Sequence, residues 1–220
     1  MKTTLLAGAL ATSALWSLAP SAALANVLSS GDTGVAPDTF AAPPTFTILT
    51  SVSQEAFSNV EPDLVVNLFE GVISDPTNVF GAGDLDFIFV VSNLPDGFNS
   101  VERVTTSSFA GFKTDVGYFA GFPGIPPTTV DRLTAATIGF NFFGGIAPGP
   151  DSASAQLAIE TNATRFTSGF LSAFNTGSAT ITAFAPSVPE PSTWAIVLVG
   201  FAGLGYVGYR KARQATLGGA

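Results

Sequence analysis

The middle of the chain consists of short runs of alternating apolar and polar residues that end at glycine or proline turns. In residues 85–91, leucine, phenylalanine and valine occupy every second position, and Ile88 and Val90 lie on the other face, as in a strand buried on both sides. Strict alternation is typical of β-strands, and no long stretch of this region has helical spacing. Turns such as Asp75-Pro76 and Asp96-Gly97 separate the runs. The pattern predicts an all-β fold, an antiparallel β-sandwich ectodomain over residues 45–187.

About eight strands are predicted in this ectodomain. They cover residues 46–52, 64–73, 85–91, 101–109, 113–119, 136–143, 155–161 and 178–184. Nineteen phenylalanines lie in residues 26–188 and can fill a core without disulfides or metal. Residues 26–44, rich in glycine, proline and small polar residues, are predicted to form a flexible N-terminal arm.

Composition excludes several kinds of chemistry. The chain has no histidine and no cysteine, which rules out a Ser-His-Asp triad, a thiol nucleophile, a disulfide framework and imidazole or thiolate metal sites. Residues 26–188 contain fifteen acidic and four basic residues, a net charge of −11. So negative a domain repels phosphate backbones, and we expect no nucleic-acid partner.

The N-terminus has the pattern of a secretory signal peptide. Residues 1–25 begin with a lysine next to the initiator methionine and continue with an apolar stretch. They end on Ala23-Leu24-Ala25, a small-x-small cleavage signature. We expect signal peptidase to cut between Ala25 and Asn26 and the chain to be exported through an inner membrane.

The C-terminus has the pattern of a single transmembrane helix. Residues 193–209 carry no charge and would span about 26 Å as a helix, close to the ~30 Å of a hydrocarbon core. Arg210, Lys211 and Arg213 follow as a stop-transfer cluster. The positive-inside rule then predicts a periplasmic N-terminus and a cytoplasmic C-terminus, with residues 214–220 as a short tail.

Pro189-Glu190-Pro191 lies just before this helix, and its two prolines force an extended backbone. The Pro-Glu-Pro neck, the glycine-rich apolar helix and the basic cluster together resemble the PEP-CTERM sorting signal over residues 188–213. The resemblance implies an exported Gram-negative protein. It further implies that an exosortase, a membrane-embedded cysteine transpeptidase, recognises Pro189, Glu190 and Pro191 and removes the helix. Exosortase systems usually accompany exopolysaccharide production and biofilm formation. Such tails are sometimes labelled ice-binding protein C-terminal domains, which describes the tail and is not evidence of ice binding.

These features predict a precursor tethered to the inner membrane and then moved to the cell surface or extracellular matrix. There we expect a structural or adhesive role linked to exopolysaccharide. We expect no enzymatic activity, no catalytic residue and no cofactor. The alternatives are a carbohydrate- or calcium-binding module, or a secreted hydrolase.

The two alternatives each have candidate residues. Oxygen ligands for calcium are available around a glycine-rich loop, at Asp75, Asn78, Asp84 and Asp86. An EF-hand pattern is absent, so a solvated turn without metal is the simpler interpretation. Paired carboxylates could hydrolyse glycosides, but no spacing singles out a pair among five glutamates. Those glutamates are Glu55, Glu61, Glu70, Glu102 and Glu160.

Overall fold

The computed structural model describes residues 25–58 and 64–188, together with residues 199, 201, 202 and 206. The first two ranges contain eleven β-strands, and the four later residues are helical. The strands are β1 (Asp38–Phe40), β2 (Thr47–Phe57), β3 (Val65–Ser74), β4 (Leu85–Asn93), β5 (Val101–Thr106), β6 (Thr114–Phe119), β7 (Thr129–Asp131), β8 (Ile138–Ile146), β9 (Leu157–Thr161), β10 (Phe166–Phe174) and β11 (Ser178–Pro186). The predicted all-β class is confirmed for the described residues.

The strands form two sheets. Sheet A has six strands in the order β1-β6-β9-β4-β3-β2, and sheet B has five in the order β11-β10-β5-β8-β7. Neighbouring strands are antiparallel except β1 and β6, which pair in parallel. The described residues include no helix long and apolar enough to cross a membrane. The predicted helix at residues 193–209 lies mostly outside the described residues, and the predicted signal peptide lies outside them except for Ala25.

The two sheets share one hydrophobic core. It forms because successive side chains of a strand point to opposite faces, and the apolar ones point between the sheets. Phe87 and Phe89 on β4 point to the same side and are fully buried. Phe89 contacts Phe140 of β8 in the opposite sheet, with ring centroids 6.2 Å apart. Phe87 contacts Phe109 edge to face at 5.3 Å. Phenylalanine therefore fills the space between the sheets, as the composition predicts.

The N-terminal arm is part of the fold, which differs from the expectation of a flexible segment. Leu28 is buried, and its backbone N–H donates to the carbonyl of Thr114 at 2.9 Å. Val35 exchanges two backbone hydrogen bonds with Val130, and β1 pairs with β6. Edge strands present unpaired N–H and C=O groups, and the arm pairs with these groups at the edges of both sheets.

Strand β10 is the largest element that the sequence pattern does not predict. Its sequence, Phe-Thr-Ser-Gly-Phe-Leu-Ser-Ala-Phe, interrupts alternation and contains Gly169 at its centre, both of which argue against a strand. The strand nevertheless pairs with β5 on one side and β11 on the other. Gly169 fits because a Cβ there would lie 2.8 Å from the Cβ of Ala185. Close packing between β10 and β11 thus outweighs the weak propensity.

Glu70 of β3 is buried in the interior, on the same side of its strand as Leu68 and Val72. Its Oε2 accepts a hydrogen bond from the backbone N–H of Phe184 at 2.7 Å, whereas Oε1 has no partner. Burial raises the pKa of this carboxyl to about 8, against the opposing effect of the hydrogen bond from Phe184. A carboxyl whose pKa is higher in the folded state than in the unfolded state stabilises the fold while it is protonated. This contribution is complete below the unfolded-state pKa of 4.5 and is lost as the pH rises through about 8.

Glu70→Gln is expected to remove this loss, because a neutral amide keeps the acceptor for Phe184 and cannot ionise. The free energy of unfolding of the variant should exceed that of the wild type at about pH 8, by an amount on the order of 3 kcal/mol, and match it near pH 5. Urea denaturation across this range, with EDTA present, measures the difference. Glu55→Gln, on the exposed side of β2, is the matched control and should follow the wild type. Unchanged pH dependence in Glu70→Gln would show that Glu70 is not the source.

Candidate functional site

Three carboxyls form a row across the outer face of sheet A. Antiparallel registers place Asp86 of β4 opposite Glu160 of β9, and Glu160 opposite Asp115 of β6. Their chain neighbours Phe87 and Ile159 point into the core, so the acids point to the other side of the sheet. The row is therefore a direct consequence of strand register, although its members are distant in sequence.

The loop between β3 and β4 covers this row and adds a fourth acid, Asp75. One carboxylate oxygen from each of Asp75, Asp86 and Glu160 lies within 4.8 Å of the others. These three residues are only 1%, 0% and 6% exposed. The interpretation of this loop as a solvated turn is therefore wrong, because Asp75 and Asp86 are buried.

Strand β1 brings a fifth acid, Asp38, beside Asp115. Asp38 pairs in parallel with Gly117 of β6, two residues from Asp115. A Cβ at Gly117 would overlap the backbone carbonyl of Asp38, so only glycine permits this close approach.

Asp75, Asp86 and Glu160 form the carboxylate triad of this site. The β3–β4 loop donates hydrogen bonds to one oxygen of each of these three carboxylates. Asp75 Oδ1 accepts hydrogen bonds from the N–H and hydroxyl of Thr77 at 2.6 and 2.7 Å. Asp86 Oδ1 accepts from the Asn78 side-chain amide at 2.6 Å, and Glu160 Oε2 from the N–H of Val79 at 3.0 Å. Consecutive loop residues therefore fix the three carboxylates in place.

Burial and mutual proximity make this a costly place for negative charge. Burial, together with the nearby charges of Glu160 and Asp75, raises the pKa of Asp86 to about 9, against the hydrogen bond from Asn78, which lowers it. Burial also raises the pKa of Glu160 and of Asp115, the latter with a contribution from Asp38. Within the described ranges one ion pair occurs, Arg103–Asp131 in sheet B, and it involves none of these acids. The cluster therefore needs protons or a cation.

Two clefts lie on this outer face of sheet A. One, of about 350 Å³, is lined by Asp38, Thr77, Val79, Asp115 and Glu160 among others, and leads to the acid cluster. The other, of about 310 Å³, is apolar, and its walls are mainly hydrophobic side chains. They include Phe46, Ile48, Phe69, Ile73, Ile88, Phe119 and Phe122.

The structure brings together some of the residues that the sequence singled out for calcium. Asp75, Asn78 and Asp86 meet, whereas Asp84 does not belong to the triad. Glu160 and Asp115 have no local signal as ligands. The sequence offers one clue: both acids lie in predicted strands, next to apolar residues. Since side chains alternate along a strand, each acid is expected on the face away from the core.

Glu160 is also the one hydrolase candidate that the structure places near another carboxylate. Glu70 lies on the opposite face of sheet A, and Glu55 and Glu102 are exposed. Glu61 lies outside the described residues.

The processing residues fall at the margins of the described structure. Asn26, the expected first residue after signal peptidase, donates its backbone N–H to Asp115 Oδ2 at 3.0 Å. Ala25 is also described. The other residues named for sorting and cleavage lie outside the described residues: Ala23, Pro189, Glu190, Pro191, Arg210, Lys211 and Arg213.

Comparison with known proteins identifies the tail. Residues 187–213 match the family model of the PEP-CTERM protein-sorting motif, which confirms the resemblance over residues 188–213. Neither a curated protein nor a solved structure matches the chain. The motif marks an exported, membrane-anchored precursor that is processed by an exosortase.

Asn78→Ala is expected to destabilise the fold, because it removes the donor to Asp86 and a second hydrogen bond to the carbonyl of Thr161. The expected loss is roughly 2–4 kcal/mol in free energy of unfolding, measured by urea denaturation in EDTA. Asn162→Ala removes an exposed hydrogen bond with the N–H of Lys113 and should cost under about 1 kcal/mol. Equal losses in both variants would contradict a special role for Asn78.

Proposed function

We propose that this chain is the precursor of a β-sandwich protein of the cell surface or extracellular matrix, with a structural or adhesive role linked to exopolysaccharide. The observation that carries the proposal is the boundary between fold and sorting motif. Strand β11 ends at Pro186, the N–H of Ser187 still donates to the carbonyl of Arg165, and the motif match begins at residue 187. A cut in the Pro-Glu-Pro neck leaves all eleven strands intact.

The short neck also supports processing at the membrane face. Six residues, 187–192, separate β11 from the apolar stretch, and a fully extended chain of that length reaches about 20 Å. A precursor anchored by residues 193–209 therefore holds its domain close to the outer face of the inner membrane. A neck so short favours an enzyme embedded in that membrane, such as an exosortase.

A binding role is favoured over catalysis. A hydrolase needs its two carboxyls open to a sugar ring, whereas Asp115 and Glu160, which line the acidic cleft, are only 3% and 6% exposed. The apolar cleft supports adhesion instead, because contiguous exposed apolar surface is typical of interaction sites. Phe46, Ile48 and Phe122 at this cleft are 51%, 63% and 47% exposed.

Glu190→Ala is expected to block processing, because it removes the only charge of the neck. In cells of the native host, the variant should accumulate in the membrane fraction as a chain that retains residues 191–220. The wild type should yield a mature form that ends near the neck. Intact-mass measurement and mapping of the C-terminal peptide distinguish the two.

Ser187→Ala is the matched control for this experiment, since it lies beside the neck and keeps Pro-Glu-Pro. It should be processed like the wild type. The sorting proposal fails if the wild type keeps its C-terminal helix, or if Glu190→Ala yields the same mature C-terminus as the wild type.

Signal peptidase is the second processing enzyme of this proposal. A cut between Ala25 and Asn26 turns the N–H that binds Asp115 into an α-ammonium group. Maturation then supplies one positive charge to an acid cluster that has no described basic partner. The new terminus is held in position by Leu28, which is buried two residues later.

A chain that begins at Asn26 is therefore expected to be more stable than one that begins at Ala25, by about 1–2 kcal/mol at about pH 7, and the difference should shrink at lower pH as Asp115 binds a proton. The extra residue leaves a neutral amide where the ammonium would bind. Thermal and urea denaturation of both chains, released from a fusion partner, measure the difference. In an Asp115→Asn background the two chains should be equally stable. A difference that persists there would refute the ion pair.

A further inference from the structure

We propose that Asp75, Asp86 and Glu160 bind one calcium ion in the exported protein. The three carboxylates come from the β3–β4 loop and from two adjacent strands, and their nearest oxygens lie within 4.8 Å of one another. A calcium–oxygen distance of about 2.4 Å allows two ligand atoms to be up to about 4.8 Å apart across the ion. The proposal rests on this geometry and stands whether or not the sorting proposal holds.

One carboxylate oxygen of the cluster has no hydrogen-bond donor, which points to a ligand. The hydrogen bonds from Thr77, Asn78 and Val79 occupy one oxygen of each carboxylate. Asp86 Oδ2, on a side chain with no exposed surface, has no hydrogen-bond partner. Buried acceptors without partners are rare in folded proteins, and a bound cation satisfies them.

Asp115 gives an independent observation in the same direction. It lies outside the triad but directly opposite Glu160, and it is 3% exposed. Its Oδ2 accepts from Asn26, its Oδ1 has no donor, and its carboxyl lies within hydrogen-bonding reach of Asp38. Two adjacent acids of this kind need a proton or a cation between them.

The chemistry of the donors favours calcium over other metals. Only carboxylate, carbonyl, hydroxyl and amide oxygens are at hand, because the chain has no histidine and no cysteine. Such hard donors suit calcium or magnesium and not zinc or copper. Calcium takes 6–8 oxygens in flexible geometry, whereas magnesium needs a compact octahedron and gives up its water reluctantly. A buried site whose strands fix two of three ligands fits calcium better.

The surroundings provide the remaining ligands and a route for the ion. The cleft of about 350 Å³ meets the cluster at Glu160 and is lined by Asp38 and Asp115. Its negative walls attract cations, and it has room for water molecules that complete the coordination. The ion would also link the loop to β4 and β9, so that binding stabilises the folded state.

Calorimetric titration of the full chain in detergent micelles, after removal of metal with EDTA, tests the site. CaCl₂ should bind at one site with a Kd between about 10⁻⁵ and 10⁻³ M, and MgCl₂ at least about tenfold more weakly. At about a hundredfold excess over Kd, calcium should raise the melting temperature by about 5–10 °C.

Variants of the carboxylates test whether calcium binds at this cluster. Asp86→Asn and Glu160→Gln keep shape and remove charge, and each should weaken calcium binding at least about tenfold. Asp151→Asn, an exposed acid outside the cluster, should bind like the wild type. Two neutralising variants are used so that loss of folding in one leaves the other as a test.

Two outcomes overturn the existence of a cation site at this cluster. One is a flat calcium titration of the folded wild type, with a melting temperature that calcium does not change; the carboxyls would then be balanced by protons. The other is calcium binding that both Asp86→Asn and Glu160→Gln retain in full, which would place the ion elsewhere. Magnesium binding as tight as calcium binding would overturn the assignment to calcium.

Discussion

The registers of β4, β9 and β6 are the constraint on which the rest of the structure depends. They align Asp86, Glu160 and Asp115 on one face of sheet A while Phe87, Ile159 and Val116 face the core. Because side chains alternate with a period of two, a slip of one residue would move acids into the core and phenylalanines to the surface. The large energetic difference between those arrangements fixes the register. The acid row is thus aligned by the same hydrophobic burial that holds the two sheets together.

That alignment has an energetic cost, since like charges in a buried site repel one another and lose hydration. The cost is offset partly by donors of the β3–β4 loop, which satisfy one oxygen of each triad carboxylate. The orphaned oxygens of Asp86 and Asp115 show where the compensation within the described chain ends. Calcium sites of extracellular modules work with Kd values of about 10⁻⁴–10⁻³ M, weaker than those of intracellular sensors. Export and a cation-dependent site are consistent with each other for that reason, although neither is derived from the other.

The sequence predicts most strands, because alternation and turn signals are local. Segments 46–52, 64–73 and 85–91 each coincide with an observed strand to within a few residues. It misses β1, β7 and β10: β1 and β7 have only three residues each, β1 lies in a proline-rich arm, and β10 has Gly169 at its centre. The same limit applies to the acid cluster. Asp75, Asn78 and Asp86 are close in sequence and could be grouped, but Glu160 is brought beside Asp86 only by the β4–β9 pairing, which no local pattern encodes.

The first and last described segments of the ectodomain both pair with strands of its sheets. At one end the arm pairs with both sheets and places Asn26 on Asp115, so that the proposed cut before Asn26 would put a positive charge at the acid cluster. At the other end β11 pairs along its full length with β10 before the sorting motif begins. The hydrogen bonds among the eleven described strands therefore involve no residue of the Pro-Glu-Pro neck. A fold whose last strand extended into the neck would lose part of a sheet on processing. The boundary at residues 186–187 is what makes this β-rich domain compatible with removal of its membrane anchor.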